Sequence, residues 1–468
     1  MLFVISVFEW TMTDGLGLLK MQHPSGYYNN LTDAFVHHQL SLLVQPPRKL
    51  LELADPFDTT KNQGLITVDY SFYKGKYYLY WGPVPVLLLF WPARLIPFLP
   101  YLPEPWAAMV FCTVGFAASV ALLLSLVRYY RLNVPPWVLS VAVLNLGWGA
   151  TLPYLLRDAN IYHVSIACAF MCLMLSFYFL VKGVFHEAPN LWAIGIGSVF
   201  LALTVGSRAV NVAYGAVFIP LSGMLLSKIA GRKPRVIALS VLWGPFIFLL
   251  GLHAIYNYMR FDSFFEFGQL LVFWPLGSVR DIPRYTLYNL YAGLHDYLIA
   301  WPDFNSTFPY VSMTGDCNIG LLVISPLIAF ILAARWLPQT ASSWKKPGIR
   351  FTVAGLAFLA FLETSLVSWA RGGGGHNLRY QGDFAPLFLV AATLAWLALV
   401  QKKDVHSWVR WSSIVLGLIL IVYGCLVNNA LTMDSRERQF FKQNPAAYRR
   451  LESMCDAVAI RLGIKGTP

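Results

Sequence analysis

Ten long apolar runs constrain the fold of this chain more than any other feature of its sequence. Each is long enough, or nearly so, to cross the roughly 30 Å hydrocarbon core of a membrane as a helix. The runs lie at roughly 105–127, 137–155, 161–181, 191–207, 209–227, 236–256, 318–335, 351–370, 385–400 and 411–430. Residues 1–12 are also apolar and are interpreted as the end of a first helix. The pattern predicts an all-α membrane protein with about eleven transmembrane helices, within a range of about 10–13.

The composition argues against a soluble fold. Only 12% of the 468 residues are charged and 57% are hydrophobic, whereas soluble domains carry about 25% charged residues. The net charge of +12 does not indicate a nucleic-acid partner, because the basic residues lie in short loops between apolar runs and not on one face. Membrane lipids are the predicted surroundings, and no nucleic acid is expected as a partner.

The distribution of Lys and Arg predicts the orientation in the membrane. Five short connectors hold 14 of the 35 basic residues, at 128–131, around Lys182, and at 228–235, 335–350 and 402–410. Basic loops face the cytoplasm, and alternating helices bring all five connectors to that side. The N-terminus is therefore predicted to be cytoplasmic and the C-terminus exoplasmic.

One apolar segment, 77–103, must not cross the membrane if this orientation holds. It contains six prolines, and each proline removes a backbone donor and disturbs a helix. We predict a broken helix that lies in, or dips into, the outer leaflet.

The predicted organisation is a single polytopic membrane domain over 1–430, followed by an exoplasmic helical tail over 431–468. The exoplasmic loops of the membrane domain are predicted at about 13–104, 257–317 and 371–384. The first loop is large and is expected to carry interfacial helices, including an amphipathic surface helix over 28–42.

Two acids of the first loop, Asp33 and Asp69, are candidate general bases. Each is flanked by aromatic residues and lies close to the predicted membrane surface, where partial desolvation can tune a carboxylate for proton abstraction. Asp55 and Asp58 have a simpler explanation as turn and cap residues. A structural role also remains open for Asp33 and Asp69.

The segment RGGGGHNLRYQGDFAP, which begins at Arg371, is a candidate anion site. Consecutive glycines let the backbone approach a ligand and can present N–H groups to an anion. Arg371, His376 and Arg379 add positive charge, so a phosphate or diphosphate headgroup is the predicted ligand. A flexible hinge with interfacial arginines is the alternative. Arg260, in the second loop, could also face an anionic headgroup. No metal-ligand constellation is visible, so no metal is expected.

Several short motifs resemble the GT-C class of membrane glycosyltransferases, to which protein O-mannosyltransferases and lipid A aminoarabinose transferases belong. They are the GKYYLYWGPVP stretch, the YNYMRFDSFFEFG segment and RYQGDFAP after the glycine run. The order of an N-terminal helix and a large outer loop with a surface helix is also similar. The resemblance covers most of the chain as an architecture, although its motifs are short.

The resemblance implies a sugar donor carried on a polyprenyl phosphate, with no further cofactor. An acceptor hydroxyl on a glycan, lipid or protein would attack with inversion, and an outer-loop acid, Asp33 first or Asp69 second, would take its proton. The residues expected to bind the lipid phosphate or donor are Arg371, His376, Arg379, Tyr380, Arg260 and Lys76. A bacterial cytoplasmic membrane is the implied location.

The chain departs from the class at one point. Members place an acid just before a tyrosine that aligns with Tyr28, where this chain has His23, Pro24 and Ser25. A lipid or small-molecule transporter or flippase, and a non-catalytic membrane assembly protein, therefore remain alternatives to the glycosyltransferase.

Overall fold

The computed structural model describes residues 1–17, 26–97, 101–157, 159–273, 284–313, 319–337, 344–371, 378–401, 407–433 and 439–461. In chain order its α-helices are α1 (Leu2–Thr13), α2 (Tyr27–Val36), α3 (Arg48–Leu51), α4 (Trp91–Arg94), α5 (Glu104–Tyr129), α6 (Pro136–Gly147), α7 (Leu152–Arg157), α8 (Ile161–Val184), α9 (Leu191–Ser207), α10 (Phe218–Lys228), α11 (Arg232–Phe261), α12 (Leu287–Leu298), α13 (Leu321–Ile324), α14 (Ile349–Arg371), α15 (Gln381–Gln401), α16 (Ser407–Met433), α17 (Gln439–Gln443) and α18 (Pro445–Arg461).

Shorter elements complete the described part of the chain. A π-helix covers Val86–Phe90, and 3-10 helices cover Ala209–Val217, Gln269–Leu271, Pro326–Trp336 and Leu378–Tyr380. Two antiparallel hairpins pair β1 (Ser71–Tyr73) with β2 (Lys76–Tyr78), and β3 (Asp303–Phe304) with β4 (Val311–Ser312).

The protein is an all-α membrane protein, as the apolar runs predict. Within the described residues, 7 helices are long and apolar enough to cross a membrane, and four shorter apolar helices accompany them. In position, these helices correspond to the ten predicted runs and to residues 1–12. The central helices are α8 and α15, whose most apolar stretches are 83% and 94% buried.

Three predicted spans are not continuous α-helices. The run at 137–155 is divided between α6 and α7, and the carbonyl of Gly149 in the gap accepts a hydrogen bond from the Ser325 hydroxyl. The run at 209–227 begins as a 3-10 helix before α10, and the run at 318–335 continues as one after α13.

The predicted surface helix over 28–42 is shorter than expected. Helix α2 ends at Val36 because His38 adopts a left-handed φ of 56°. Beyond that turn the N–H of Leu42 donates to the carbonyl of Tyr77 over 2.8 Å. A partner in the β1–β2 hairpin therefore replaces the helical hydrogen bonds that the amphipathic pattern predicts.

The two ends of the helix bundle differ in chemistry. One end carries residues of four of the five basic connectors, which line a single cavity. The other end carries α2, the β1–β2 hairpin and the start of α8. Tyr162 and Lys182 mark these two ends on α8 and lie roughly 30 Å apart at about 1.5 Å per residue. This separation matches the thickness of a membrane core.

The segment 77–103 begins and ends at the same end of the bundle. Its helical part, Val86–Phe90 followed by α4, extends only about 14 Å. At one flank Trp81 packs edge-on against Tyr27 of α2 with ring centroids 6.1 Å apart. At the other flank the carbonyl of Leu102 accepts a 2.9 Å hydrogen bond from Asn29 of α2. The described parts of this segment therefore lie beside α2 on both flanks.

Candidate functional site

The β1–β2 hairpin positions an aromatic run at the end of the bundle opposite the basic connectors. Lys74 and Gly75 form its turn with φ values of 47° and 74°, the left-handed geometry that a two-residue hairpin turn needs. The chain then returns through Tyr80 and Trp81, whose rings stack with centroids 3.7 Å apart.

Gly82 fixes this run against the bundle. A Cβ atom on Gly82 would lie 1.8 Å from the carbonyl oxygen of Gly206 in α9. Only glycine permits such an approach between two backbones. The glycine of the YWGP sequence thereby places Trp81 beside the C-terminal end of α9.

A cavity of about 140 Å³ lies where these elements meet. It is lined by aromatic rings together with polar and cationic side chains, and among them are Tyr80, Trp81, Tyr162, Ser207, Arg208, His253, Gln269 and Tyr380. Its walls come from the loop after β2, from α8, α9 and α11, and from the segment that precedes α15. Such a cavity, with several aromatic rings and a few convergent polar groups, is typical of a ligand site.

Asp69 lies beside this cavity and is bound to one of its walls. The hydroxyl of Tyr162 donates a 2.6 Å hydrogen bond to Oδ2 of Asp69. Only 9% of Asp69 is exposed, and burial raises the pKa of its carboxyl, while the Tyr162 hydrogen bond and the charge of Arg379 oppose that rise. The carboxyl can therefore take up a proton more readily than an ordinary aspartate.

The backbone of Asp69 is held in an uncommon conformation. Its φ is 66°, in the left-handed region that costs roughly 1 kcal/mol for a residue with a side chain. The N–H of Asp69 donates to the carbonyl of Phe273 over 3.4 Å, and the N–H of Phe273 donates to the carbonyl of Tyr70 over 3.1 Å. Strain of this kind is concentrated at functional sites.

Arg379 completes this cluster. Its guanidinium lies over the ring of Tyr162 at 4.0 Å and donates a 3.2 Å hydrogen bond to the hydroxyl of Tyr380. Of the residues selected from the sequence, Asp69, Arg379 and Tyr380 are thus brought together. Tyr162 joins them, with Asp69 at its hydroxyl and Arg379 on its ring face.

A second arginine, Arg208, lines the cavity and is held by Asp383. Its Nε and Nη2 atoms donate to the two carboxylate oxygens of Asp383 over 2.7 and 2.6 Å. Tyr214 also donates to the backbone carbonyl of Asp383 over 2.7 Å. The Asp383 side chain is fully buried and that of Arg208 is 10% exposed. A two-pronged pair of this kind fixes both position and orientation of the guanidinium.

Asp33 lies at the same end of the bundle but has a different partner. It forms an ion pair with Arg94 of α4, and the guanidinium of Arg94 lies 4.0 Å from the ring centre of Tyr101. The pair joins α2 to the proline-rich segment. Asp33 is therefore paired with Arg94, whereas Asp69 is bound to Tyr162.

The remaining candidates occupy other positions. Arg260 is buried and donates to the carbonyl of Leu79 over 2.6 Å and to Asn257 over 2.8 Å, so it supports the backbone before Tyr80. Lys76 is exposed on β2. The side chain of Arg371 and the whole of His376 lie outside the described residues.

Several site residues escaped the sequence reasoning. Tyr162 stands at the start of an apolar run, where it resembles any interfacial aromatic, while the sequence marks Arg208 and Glu363 only as ionisable residues at or within apolar runs. Asp383 is part of the RYQGDFAP segment, but its partner lies 175 positions away in sequence. Glu363, fully buried in α14, has no hydrogen-bond partner for either carboxylate oxygen among the described residues. No group of three or more potential metal-binding side chains occurs in that part of the chain either.

Comparisons with known proteins yield likenesses in structure alone. No protein-family model matches this chain, and no curated protein matches it. The fold is similar to that of ArnT from Cupriavidus metallidurans bound to undecaprenyl phosphate, with a TM-score of 0.46, 9% identity, and coverage of 94% of this chain and 76% of that one.

Two further likenesses concern one archaeal protein. The oligosaccharyltransferase of Archaeoglobus fulgidus in the apo form gives a TM-score of 0.44 at 14% identity over 92% of this chain. The Archaeoglobus fulgidus oligosaccharyltransferase AglB, in complex with an inhibitory peptide and a dolichol-phosphate, gives a TM-score of 0.45 at 14% identity over 93% of this chain. The matched region spans only 56% of either archaeal chain. Likeness at this level identifies neither substrate nor activity, so the function must be argued from the site itself.

Proposed function

We propose that this protein is a membrane glycosyltransferase that moves a sugar from a polyprenyl-phosphate donor to an acceptor hydroxyl on the exoplasmic side. The observation that carries the proposal is the cluster beside the cavity, where Tyr162 contacts both the carboxyl of Asp69, through its hydroxyl, and the guanidinium of Arg379, through its ring. A base and a cation held by the same cavity-lining tyrosine suit a reaction that removes a proton and releases a phosphate.

The chemistry assigns one task to each group. Asp69 takes the proton of the acceptor hydroxyl while that oxygen forms a bond to the anomeric carbon of the sugar. The bond from the anomeric carbon to the phosphate oxygen breaks on the opposite face, and its electron pair leaves with the polyprenyl phosphate. Because one displacement occurs, the configuration at the anomeric carbon inverts.

The two arginines have complementary roles in this proposal. Arg379, stacked on Tyr162, stabilises the negative charge that develops on the departing phosphate. Arg208 contributes a second positive charge in the cavity wall, and Asp383 keeps its guanidinium fixed. A fixed cation needs no reorganisation as the charge develops, which lowers the barrier.

The aromatic lining fits the sugar. The stacked rings of Tyr80 and Trp81 present flat apolar faces beside polar groups from Ser207 and Gln269. A saccharide offers C–H bonds on one face and hydroxyls at its edge, so such a lining can hold both kinds of surface.

The test is a transfer assay with the full-length protein, purified and reconstituted in liposomes. The probes are polyprenyl-phosphate carriers loaded with radiolabelled hexose, pentose or amino sugars, and the measurement is donor consumption and release of polyprenyl phosphate. We expect consumption of at least one donor, and loss of that consumption in Asp69→Asn. If no donor of a broad panel is consumed, the proposal is wrong.

A second candidate function, lipid or small-molecule transport, is favoured by Glu363. A fully buried carboxyl within a membrane helix is usually functional, and proton-coupled transport would give it a role. Proteoliposomes loaded with fluorescent lipid or sugar phosphate distinguish the two. Translocation that is lost in Glu363→Gln, without any donor consumption by the wild type, would favour transport.

A further inference from the structure

A second cavity, at the basic end of the bundle, is separate from the site described above. Its volume is about 800 Å³. Its cationic lining side chains come from four different connectors, and they are Arg128, Arg131, Lys182, Lys228, Lys345 and Lys346. Glu187 is the acid among its described lining residues. Connectors far apart in sequence therefore concentrate positive charge around one concave surface.

Charge alone would be explained by membrane topology, since basic loops collect on the cytoplasmic side. Two contacts also join the connectors to one another, which membrane topology alone does not require. Lys228 is half-buried and donates to the carbonyls of Val184 and His186 over 2.5 and 2.8 Å, which joins α10 to the end of α8. Lys346 pairs with Glu187 over 2.7 Å, which ties the segment before α14 to the same place.

An apolar groove of about 460 Å³ continues from this cavity along the bundle. The two share Val181, Phe185 and Pro347 as lining residues. The groove runs between α8, α10 and α14, and its lining is apolar except for Thr352. Ile219 and Phe358 in its walls are 68% and 62% exposed, so the groove is open towards the lipid.

The junction between cavity and groove is marked by a polar contact. The hydroxyl of Tyr130 lies 2.6 Å from Oγ1 of Thr352 and 3.2 Å from the carbonyl oxygen of Pro347. A tyrosine with one polar and one apolar side is typical of the depth at which headgroups meet acyl chains. The order along the surface is thus cations, tyrosine, then apolar groove.

We propose that cavity and groove together bind one anionic glycerophospholipid of the leaflet at the basic end. Its phosphate lies among Arg128, Arg131 and Lys182, and an acyl chain lies along the groove beside α14. Basic pockets between transmembrane helices bind anionic headgroups in this manner. The site is roughly 30 Å from Tyr162 along α8, so it is distinct from the donor site. The proposal therefore does not depend on whether the protein transfers sugar.

The headgroup test uses native mass spectrometry and thermal melting of the full-length protein, delipidated in detergent. The probes are dioleoyl phosphatidylglycerol, dioleoyl phosphatidylcholine and glycerol phosphate. We expect one phosphatidylglycerol to be retained and to raise the melting temperature, with little effect of phosphatidylcholine. If phosphatidylcholine binds equally, or if glycerol phosphate alone gives the full shift, the proposal is overturned.

A matched pair of variants separates the cavity from general surface charge. The test variant is Arg128→Gln with Lys182→Gln, and the control is Arg232→Gln with Lys233→Gln at the exposed start of α11. Since a basic residue near the surface contributes about 1 kcal/mol, the test variant should bind phosphatidylglycerol at least about tenfold more weakly. Equal weakening in the control would assign the effect to bulk charge and contradict the site.

The groove has its own test. A Cβ atom on Gly355 meets no atom within 4 Å, so the side chain of Gly355→Leu would begin in open space and extend into the groove. A Cβ on Gly244 of α11 also meets no atom within 4 Å, which makes Gly244→Leu the matched control. We expect Gly355→Leu to weaken retention of phosphatidylglycerol while Gly244→Leu leaves it unchanged. Unchanged retention in both variants would show that no acyl chain lies there.

Discussion

The hydroxyl of Tyr162 and Oδ2 of Asp69 are 2.6 Å apart, which joins the first large loop to the start of a central membrane helix. If Asp69 is the base, Asp69→Asn removes its ability to accept a proton while keeping its shape. We expect the transfer rate to fall by about 10²–10⁴-fold, the usual contribution of a general base. The measurement is kcat for polyprenyl-phosphate release, with Lys49→Ala, at an exposed lysine of α3, as a control that should retain the wild-type rate.

The same contact predicts a pH dependence. Burial raises the pKa of Asp69, and a base must be deprotonated, so activity should fall as the pH drops through a value above that of an ordinary aspartate. Tyr162→Phe removes a hydrogen bond that favours the charged carboxylate, which raises the pKa further. The acid limb of the kcat profile should therefore move to higher pH in Tyr162→Phe. An unshifted limb would exclude Asp69 as the titrating base.

Gly82 provides a test of the backbone approach that positions Trp81. In Gly82→Ala the new methyl would lie 1.8 Å from the carbonyl oxygen of Gly206, so the loop after β2 must move away from α9. We expect a lower melting temperature and a higher KM for the donor, because Trp81 lines the cavity. Gly355→Ala is the matched control, since its methyl meets no atom within 4 Å. Equal melting temperatures for the two variants would contradict this packing.

Asp383 should matter for stability because it is the buried partner of Arg208. Asp383→Asn leaves the buried guanidinium of Arg208 without a counter-charge, and breaking one partner of a buried pair costs about 3–5 kcal/mol. Arg208→Gln should lower the stability by a comparable amount. The double variant should lose less stability than the sum of the two single losses, because no unpaired charge remains. Thermal melting of the three variants in detergent measures this coupling, and additive losses would argue against a direct pair.

The fold was predictable to a useful extent because lipid imposes a simple rule on length and polarity. Spans such as 191–207 were located from hydropathy alone, and the observed α9 has the same bounds. The prediction failed where tertiary contacts compete with the helix. The hydrogen bond from Ser325 to Gly149 lies in a break between α6 and α7, and it joins positions 176 apart in sequence.

The site was also only partly predictable, because its arrangement depends on tertiary contacts between positions far apart in sequence. Asp69 and Arg379 could be selected because Asp69 is flanked by aromatic residues in a predicted outer loop and Arg379 follows a run of glycines. Their arrangement depends on Tyr162, whose position in an apolar run resembles that of any interfacial aromatic. The sequence ranks Asp33 ahead of Asp69 as the base, yet in the structure Arg94 pairs with Asp33. The sequence around Asp33 gives no indication that Arg94 is its partner.

The ion pair of Asp33 and Arg94 gives a prediction that separates the two acids. If Asp33 only joins α2 to the proline-rich segment, Asp33→Asn should lower the melting temperature and retain most of the transfer rate. Exchanging the two residues, Asp33→Arg with Arg94→Asp, should recover part of the lost stability, since the charges remain opposite. A loss of rate in Asp33→Asn as large as in Asp69→Asn would instead make Asp33 the base.

The native cysteines offer a test of which compartment each end of the bundle faces. Cys455 of α18 is exposed, whereas Cys112, Cys168 and Cys172 are buried. In a Cys317→Ser background, a membrane-impermeant maleimide added to intact cells or spheroplasts should label Cys455, because the tail is expected on the exoplasmic side. With Cys455→Ser also present, Lys182→Cys should be labelled only after permeabilisation, since basic connectors remain in the cytoplasm. Labelling of Lys182→Cys in intact cells would reverse the orientation. The Asp69 cluster would then face the cytoplasm, and an exoplasmic transferase would be ruled out.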